Sequence, residues 1–479
     1  MFRRAANGTP LMANIYIETF GCQMNEADSQ YIAGRAAAAG YAVTANSAEA
    51  NVVVLNTCTV RDAAERRAYG RMAHFRALKT VDASVKLVVC GCLAEQDRGR
   101  MHETAPYLDA VFGTSDLVRL GDALEAWRPQ FADGDDLTEE RLLLRPLGGE
   151  ADCVGDAYGD LRAFVNVQRG CSYYCTYCIV PYVRGRFDNR PLADILAEVR
   201  AAIARGARQI TLVGQTVNAY REPATGASFA RLLEAVAALP GLDRLTFLTS
   251  HPKDYTDDLA RTMGALPQLD QRFHLPLQCG SDRVLRRMNR KYTLAQYREK
   301  IAVFRERCPD WALTTDLIVA FPGETEDDFA STLTACDEFG FAQAFMFVYS
   351  PRRGTPAAHW EQIPTDAGNA RLRRLAETVD RNVRVWHERK RGRVVRALVQ
   401  GPSRKDRSKL AAKTTDNVTV IAPAGDFDER TLRQRPWLDV RIDTPFTWGC
   451  AGEIVATAER FDATAVAVTR RPVLDLIAG

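Results

Sequence analysis

The stretch that decides the fold is Gly170-Cys171-Ser-Tyr-Tyr-Cys175-Thr-Tyr-Cys178, which runs into Ile179-Val-Pro-Tyr. Its cysteines, spaced by three and then two residues, suit a compact loop that wraps one face of an iron–sulfur cluster. Because a [4Fe–4S] cubane has four irons, three thiolates leave one iron open, and an open iron can bind substrate. The alternatives are a structural zinc site or a chance group of buried thiols. Zinc sites usually add a fourth Cys or His, and no His lies in the flanking segment.

Composition is that of an ordinary globular protein with two or three domains. The chain has 479 residues, of which 46% are hydrophobic and 26% charged, and a formal net charge of +3. Any nucleic-acid surface is therefore expected to be local. No apolar run reaches the roughly 18–20 residues that span a bilayer, and no apolar signal core follows the basic start at Met1. Met12 is an alternative start, since strand-like sequence begins at Asn14. Twelve cysteines without an export signal indicate a reducing compartment. We expect a cytoplasmic protein with no membrane association.

Residues 13–128 alternate between strand-like and helical patterns. Apolar runs at 14–18, 51–56 and 85–90 predict strands, and helical periodicity separates them. This alternation is typical of a parallel α/β sheet.

Three cysteines of this first domain follow predicted strands directly. Cys22, Cys58 and Cys92 each lie after the carboxyl end of a strand, where open parallel sheets place their ligand sites. The three thiols are expected to converge and to hold a second metal cluster; three unrelated buried thiols are the alternative. Cys90 lies on a strand and is assigned to the core.

Residues 129–160 are polar, glycine-rich and acidic, which predicts a linker. Strand–helix alternation resumes over 161–388 and gives about six β/α units, fewer than the eight of a closed barrel. Each strand ends in a polar or glycine-bearing loop, so the carboxyl ends are expected to line a cavity. His251 and His274 fall at or within these strands and are interpreted as structural.

The share of positively charged residues rises sharply after the last β/α unit. Twelve Lys or Arg residues lie between Arg381 and Lys413, against Glu388 and Asp406. Short β-like runs separated by turns predict a small OB-like β-barrel over 389–460, followed by a C-terminal tail at 461–479. The loop that begins at Gly401 suits phosphate contacts, with a solvated surface as the alternative. The RNA-binding candidates in this loop are Arg404, Lys405, Arg407 and Lys409.

The cysteine loop resembles that of radical S-adenosylmethionine (SAM) enzymes, CxxxCxxC with an aromatic residue, Tyr177, before the last cysteine. The resemblance implies that the open iron binds SAM and reduces it to a 5′-deoxyadenosyl radical, which needs a walled cavity. No GxSxG, HExxH or Walker motif is present to anchor a hydrolase or kinase. A second cluster and a basic barrel in the same chain indicate C–H thiolation of a nucleic acid.

From about residue 14 to about residue 460 the chain resembles the methylthiotransferase family. The segments that carry the resemblance are Glu18-Thr-Phe-Gly-Cys-Gln-Met-Asn-Glu-Ala-Asp-Ser, Leu55-Asn-Thr-Cys-Thr-Val-Arg, Gly91-Cys-Leu-Ala-Glu-Gln, Ala105-Pro-Tyr-Leu-Asp-Ala-Val-Phe-Gly, the cysteine loop, Arg184-Gly-Arg, Thr249-Ser-His-Pro, Met288-Asn-Arg-Lys-Tyr-Thr, Phe321-Pro-Gly-Glu-Thr and Gly401-Pro-Ser-Arg-Lys-Asp.

The resemblance implies an N-terminal methylthiotransferase domain, a partial (β/α)6 radical SAM barrel and a C-terminal TRAM barrel. By position, Cys171, Cys175 and Cys178 would hold the SAM-cleaving [4Fe–4S] cluster, and Cys22, Cys58 and Cys92 an auxiliary [4Fe–4S] cluster. The implied reaction adds a methylthio group to position 2 of N6-isopentenyladenosine at position 37 of tRNA. A reductase such as a flavodoxin or ferredoxin would supply electrons. We expect a monomer, since no association motif stands out.

The same resemblance places Tyr177, Gly214, Gln215 and Gln278 in contact with SAM. Two residues depart from the family pattern: Thr216 stands where Asn is usual, and Cys279 where Ser is usual. Both fall in loops expected to face SAM or substrate, and the Cys279 thiol is expected near the cavity.

Other functions stay open at this point. Within the family, the alternatives act on threonylcarbamoyladenosine in tRNA or on a ribosomal-protein aspartate; the segments that begin at Met288 and Gly401 favour the isopentenyl substrate. The alternative of another class is a non-catalytic iron–sulfur RNA-binding protein that senses redox state and does not cleave SAM.

Overall fold

The computed structural model describes residues 13–59, 62–131, 152–153, 161–403, 405–425 and 427–461. Its strands are β1 Ala13–Thr19, β2 Tyr41–Val43, β3 Val52–Thr57, β4 Lys86–Gly91, β5 Ala110–Phe112, β6 Asp152–Cys153, β7 Arg162–Asn166, β8 Gln168–Arg169, β9 Asp188–Asn189, β10 Gln209–Val213, β11 Arg244–Phe247, β12 Arg272–His274, β13 Ala312–Val319, β14 Gln343–Val348, β15 Val394–Pro402, β16 Lys409–Thr414, β17 Thr419–Pro423, β18 Trp437–Phe446 and β19 Gly449–Ala458.

Its helices are α1 Gln23–Ala38, α2 Asp62–Val81, α3 Cys92–Thr104, α4 Leu117–Trp127, α5 Val180–Val183, α6 Leu192–Ala204, α7 Phe229–Ala237, α8 Asp257–Ala265, α9 Asp282–Arg287, α10 Leu294–Arg307, α11 Glu326–Phe339, α12 Thr365–Glu388 and α13 Glu429–Gln434. Within the described ranges, no helix combines the length and apolarity needed to cross a membrane.

The first domain is the predicted parallel α/β sheet. Its strands lie in the order β2-β1-β3-β4-β5, and every pair in this series is parallel. All six residues of β3 are buried, as expected for a central strand covered by helices on both faces. Strands β2 and β5, which have three residues each, were not predicted. The predicted linker lies mostly outside the described residues, but β6 within it pairs with β1.

The second domain is the predicted open barrel of six parallel strands. Strands β11-β10-β7 form one sheet and β12-β13-β14 another, and a parallel bridge from Leu245 to Leu269 joins the two halves. Helices cover the outside, where the largest apolar core of the protein lies. Every strand points the same way, so the six carboxyl ends form one rim.

The C-terminal unit is a closed five-stranded barrel, in the order β15-β16-β17-β19-β18. The small β-barrel prediction is confirmed. Strand β16 was missed because the sequence analysis extended the basic loop to Lys409, whereas that residue begins the strand. Residues of β16 alternate between half-buried and buried, which is the pattern of a strand with one face on a core.

This small barrel packs against the amino ends of the six parallel strands. Leu161, Ala312 and Ala342, which precede or begin β7, β13 and β14, belong to the same apolar cluster as the barrel interior. Arg244 begins β11 and is buried; its Nη2 donates to Asp270 Oδ2 at 2.9 Å and to the carbonyl oxygen of Thr414 at 2.8 Å. The cysteine loop therefore lies at the opposite end of the domain.

Replacing Arg244 with Met should weaken this contact strongly. The change leaves the buried Asp270 carboxylate without its cation and removes a donor to Thr414, which typically costs about 3–5 kcal/mol. The midpoint of unfolding of the apo-protein should shift to a lower urea concentration. Arg261→Ala, which breaks an exposed pair with Asp258, should cost under about 1 kcal/mol; equal shifts for the two variants would contradict the interpretation.

Candidate active site at the strand carboxyl ends

The cysteine loop is fixed by backbone contacts on both sides. Gly170 has φ +72°, and a Cβ there would lie 1.9 Å from the carbonyl oxygen of Arg186, so only glycine fits. The amide of Thr176 donates to the carbonyl oxygen of Met288 at 3.1 Å. Asn289 donates to the carbonyl oxygens of Tyr173 and Tyr174 at 3.2 and 2.9 Å. The loop is thus held in one conformation by the segment that begins at Met288.

A buried arginine lies among the thiols of this loop. Arg290 Nη1 is 3.4 Å from Cys175 Sγ and 3.5 Å from the hydroxyl of Tyr177, and its Nε donates to Tyr292. Burial lowers its pKa, but the neighbouring tyrosines and Cys175 outweigh that effect and raise the pKa well above its usual value. Arg290 therefore stays charged and favours negative charge at the loop. This role of Arg290 was not predicted, although the residue lies in the segment from Met288 that carries the family resemblance.

Burial has the opposite effect on two thiols of this loop. It raises the pKa of Cys178 to about 12, and the neighbouring Cys175 and Cys171 act in the same direction. Burial also raises the pKa of Cys171. A metal must displace the protons of these two thiols, so cluster assembly is favoured by higher pH.

The loop after β10 meets the cysteine loop directly. Thr216 Oγ1 is 3.6 Å from Cys171 Sγ, and its amide donates to Gln168 Oε1 at 3.2 Å. A Cβ at Gly214 would lie 2.9 Å from the carbonyl oxygen of Gln168, so this loop packs closely on β8. The departure from the family pattern at Thr216 therefore lies beside the predicted cluster.

Three buried polar atoms near this loop have no hydrogen-bond partner among the residues that the structure describes: Gln215 Oε1, Ser250 Oγ and His251 Nε2. All three follow β10 or β11 at the carboxyl rim. Leaving such atoms unpaired costs about 1–3 kcal/mol each, which favours a polar ligand here. Three thiols with unpaired polar atoms beside them fit a cluster that binds SAM. Gln278 lies across the rim, where its amide donates to the carbonyl oxygen of Asp316 at 2.9 Å.

His251 packs against the cysteine loop, a contact the sequence analysis did not predict. Its ring stacks on Tyr173 with centroids 4.2 Å apart, and its Nδ1 accepts from the amide of Lys253 at 3.1 Å. Burial, with Arg290 and Lys253 nearby, lowers the pKa of His251. The ring is neutral, so its Nε2 carries the proton and is the unpaired donor.

The second group of cysteines lies at the ends of β1, β3 and β4. Gly21 packs against Cys58 so closely that a Cβ would lie 2.5 Å from Cys58 Cβ. Buried Asn25 donates to Asn56 Oδ1 and to the carbonyl oxygen of Thr57 at 3.0 and 3.1 Å, which ties the start of α1 to the end of β3.

Cys92 brings this group to the second domain. It packs with Ile179 and Val183, which directly follow the cysteine loop. Arg184 Nε donates to Cys92 Sγ at 3.1 Å, and Arg184 Nη2 lies 2.8 Å from Asp28 Oδ2. The Arg184 side chain is 5% exposed and that of Asp28 3%. The Arg184 bridge, formed by Arg184, Asp28 and Cys92, therefore joins the two cysteine groups.

Within the described ranges, no three His, Cys, Asp or Glu side chains are grouped as ligands for a single metal ion. In a cubane, each thiolate binds a different iron, so its ligands stand further apart than those of zinc.

The prediction for Cys279 is wrong. Its side chain is fully buried in the apolar core, and its Sγ lies 3.4 Å from Thr332 Oγ1 on α11. The thiol faces the helix layer because the chain turns at Gln278, which has φ +71°. Cys90 is buried in the core, as predicted.

Two aromatic side chains line the inner face of the open barrel. Ala344, Met346 and Val348 of β14 pack on the outer core, so the alternating Phe345 and Phe347 face inward. They are 41% and 36% exposed.

A polar pair lies beside these rings. In the strand register Asp316 is opposite Phe345, and His274 Nε2 is 3.4 Å from Asp316 Oδ2. On β12 to β14 the inner wall therefore combines an apolar patch with the polar pair of His274 and Asp316.

The predicted RNA-binding residues are only partly brought together. Lys405 lies over the ring of Trp448, with its Nζ 5.6 Å from the centroid, and Lys409 pairs with Asp406 at 3.1 Å. Arg407 is exposed. Arg404 lies outside the described residues.

A separate cavity of about 400 Å³ opens on the outside of the barrel, lined in part by Lys253, Lys291, Tyr292 and Lys300. None of the predicted site residues lines it.

Comparison with known proteins accords with this geometry. Residues 165–336 match the family model described as the Radical SAM superfamily, and residues 14–113 match that described as Uncharacterized protein family UPF0004. A solved structure with a similar fold is the radical SAM methyltransferase TsrM from Kitasatospora setae, with a TM-score of 0.51 and 13% identity over 73% of this chain and 77% of that chain. At that identity the likeness shows the fold alone. Fold and site together define a radical SAM enzyme.

Three relatives named tRNA-2-methylthio-N(6)-dimethylallyladenosine synthase match nearly the whole chain. That from Burkholderia cenocepacia is 40% identical over 93% of this chain and 98% of its own length. The Clostridium perfringens relative is 38% identical over 92% of this chain and 97% of its own length. The Acetivibrio thermocellus relative is 40% identical over 92% of this chain and 90% of its own length. The chain belongs to the tRNA-2-methylthio-N(6)-dimethylallyladenosine synthase family. Membership in the radical SAM superfamily implies a [4Fe–4S] cluster and SAM.

Breaking the Arg184 bridge should loosen the N-terminal domain from the barrel. Arg184→Gln leaves the buried Asp28 carboxylate without a cation, which costs about 3–5 kcal/mol. Hydrogen–deuterium exchange of the apo-protein should speed up around Asp28 and Cys92. Exposed Arg186→Gln is the matched control and should leave exchange unchanged; unchanged exchange in Arg184→Gln would contradict the role of the bridge.

Proposed function

We propose that this enzyme adds a methylthio group to position 2 of N6-isopentenyladenosine at position 37 of tRNA. The observation that carries the proposal is the approach of two cysteine groups across the Arg184 bridge. A reaction that needs both a carbon radical and a sulfur source requires two such centres beside one substrate. Family membership supports the same reaction.

The chain's own residues have distinct parts in this function. Cys171, Cys175 and Cys178 hold the SAM-binding [4Fe–4S] cluster, and Cys22, Cys58 and Cys92 hold an auxiliary one. When bound, these groups and SAM supply the 5′-deoxyadenosyl radical, the sulfur atom and the methyl group.

Around the two cysteine groups, other residues position SAM and exclude water. Arg290 keeps positive charge beside the first cysteine group, and Gly214, Gln215 and Tyr177 line the SAM side of the rim. Helices around the barrel keep water from the interior, which protects a reactive radical.

The inner barrel wall favours the isopentenyl substrate over threonylcarbamoyladenosine. Phe345 and Phe347 offer an apolar surface that suits a dimethylallyl group, whereas a threonylcarbamoyl group carries a carboxylate that needs a cation or several donors. On this inner face of β13 and β14 the charged group near the rings is the Asp316 carboxylate, paired with His274. That carboxylate would repel a negatively charged substrate.

The proposed function also implies a cellular location, an oligomeric state, an electron donor and contacts to tRNA. The enzyme acts as a cytoplasmic monomer and takes electrons from a flavodoxin or ferredoxin. Lys405, Arg407 and Lys409, with Arg404, contact tRNA phosphates.

Mass spectrometry of tRNA nucleosides from a deletion strain tests the reaction. Loss of 2-methylthio-N6-isopentenyladenosine, with accumulation of N6-isopentenyladenosine, is expected. An unchanged nucleoside together with an altered ribosomal-protein aspartate would contradict the assignment. Detection of 5′-deoxyadenosine after anaerobic reduction with SAM would exclude a non-catalytic redox sensor.

Replacing Cys22, Cys58 and Cys92 with Ala tests the auxiliary cluster. Iron content after anaerobic reconstitution should fall from about eight to about four per chain. Thiolation should be lost, while SAM cleavage should persist because the cysteine loop is intact. Full iron content in the triple variant would show that these residues are not the ligands.

Substitution on the inner wall tests the substrate assignment. Phe345→Ser should lower kcat/KM for isopentenyl-modified tRNA by about 10- to 100-fold, because an apolar contact with the substrate is lost. Phe345→Leu keeps an apolar surface and should retain most of the activity. Equal activity of the Ser and Leu variants would rule out this contact.

A further inference from the structure

The turn between β18 and β19 presents an aromatic pair at the protein surface. The rings of Phe446 and Trp448 are stacked, with centroids 5.0 Å apart and planes 2° from parallel. Trp448 is 58% exposed, which makes it the most exposed tryptophan in the described chain. The exposed indole, backed by the Phe446 ring, offers a planar surface to a partner.

The chain holds this turn firmly. His387 on α12 hydrogen-bonds the carbonyl oxygen of Phe446, and Arg384 Nε donates to Thr447 Oγ1 at 3.3 Å. A Cβ at Gly449 would lie 2.4 Å from the carbonyl oxygen of Thr419, so the turn packs closely on β17. The indole is therefore presented on a fixed turn, and little conformational entropy is lost when a partner binds it.

Two cations lie close to the exposed indole. Lys405 Nζ lies over the Trp448 ring, 5.6 Å from its centroid, on an exposed side chain that a stacking base must displace. The exposed Arg384 contacts Thr447 in the same turn. Among the residues described, neither side chain has a carboxylate within ion-pair distance. A planar ring beside cations complements an aromatic base with its phosphates; a purely apolar partner would leave both charges desolvated.

We propose that Trp448 is a stacking platform for an unpaired base of the tRNA substrate, with Lys405 and Arg384 contacting the adjacent phosphates. The inference rests on the proposed function, which makes tRNA the substrate. Base–aromatic stacking is worth about 1–3 kcal/mol per base.

The platform lies far from the reaction centre. Helix α12 begins beside the carboxyl end of β14, where a Cβ at Gly368 would meet Val348, and it ends beside Phe446. Its 24 residues span about 36 Å at 1.5 Å per residue. Trp448 therefore acts on tRNA affinity and not on the chemical step.

Binding of unmodified and isopentenyl-modified tRNA to the cluster-loaded enzyme tests the platform. Trp448→Ala should weaken binding by about 5- to 150-fold, raise KM and leave kcat unchanged. Trp448→Phe keeps a stacking ring and should lose less affinity for tRNA than Trp448→Ala. Val394→Ala removes another exposed apolar side chain of the same barrel and should bind like the unaltered enzyme.

Fluorescence provides a readout that a structural role would not move. Bound tRNA should quench the Trp448 emission, taken as the difference between the unaltered enzyme and Trp448→Phe. Unchanged tRNA affinity in Trp448→Ala, or no quenching, would overturn the platform, and so would self-association of the enzyme through Trp448. If the unaltered enzyme itself neither bound nor modified tRNA, the proposed function would fail instead.

Discussion

The buried ion pair between Arg184 and Asp28 is the contact on which the approach of the two cysteine groups depends. Each partner is almost fully removed from water, and desolvation of two ions costs several kcal/mol unless good geometry and further hydrogen bonds offset it. Here the guanidinium also donates to Cys92. Burial lowers the pKa of Arg184, but Cys92 and Asp28 more than compensate and raise it well above its usual value. The charge therefore persists at any physiological pH and holds the N-terminal domain against the open barrel.

The cysteine positions could be predicted from sequence because they follow local patterns. Cys22, Cys58 and Cys92 lie after apolar runs, and parallel strands bring such positions to one edge. Arg184 and Arg290 were missed because their roles arise from distant contacts. Arg184 meets a residue 156 positions away, and Arg290 meets Cys175 from 115 positions away. Neither side chain carries a local sign of burial, since arginine is usually exposed.

The fold was predictable where segments are long and strongly apolar. Short strands such as β2 and β5 carry too few residues to show a period, and β16 is masked by the lysines at its two ends. The inward direction of Phe345 and Phe347 could not be read from sequence, because every residue of β14 but Gln343 is apolar and either face could be the buried one. The inward direction of the two rings follows from the packing of Ala344, Met346 and Val348 against the outer core.

The small barrel packed under the amino ends of the six strands has a consequence for how a substrate reaches the interior. With that end covered, the ways left into the interior are the carboxyl rim and the gap between β7 and β14, the two edge strands of the open barrel. Arg184 meets Cys92 at the carboxyl-rim end. Both cysteine groups therefore lie on the side of the domain that the small barrel leaves uncovered.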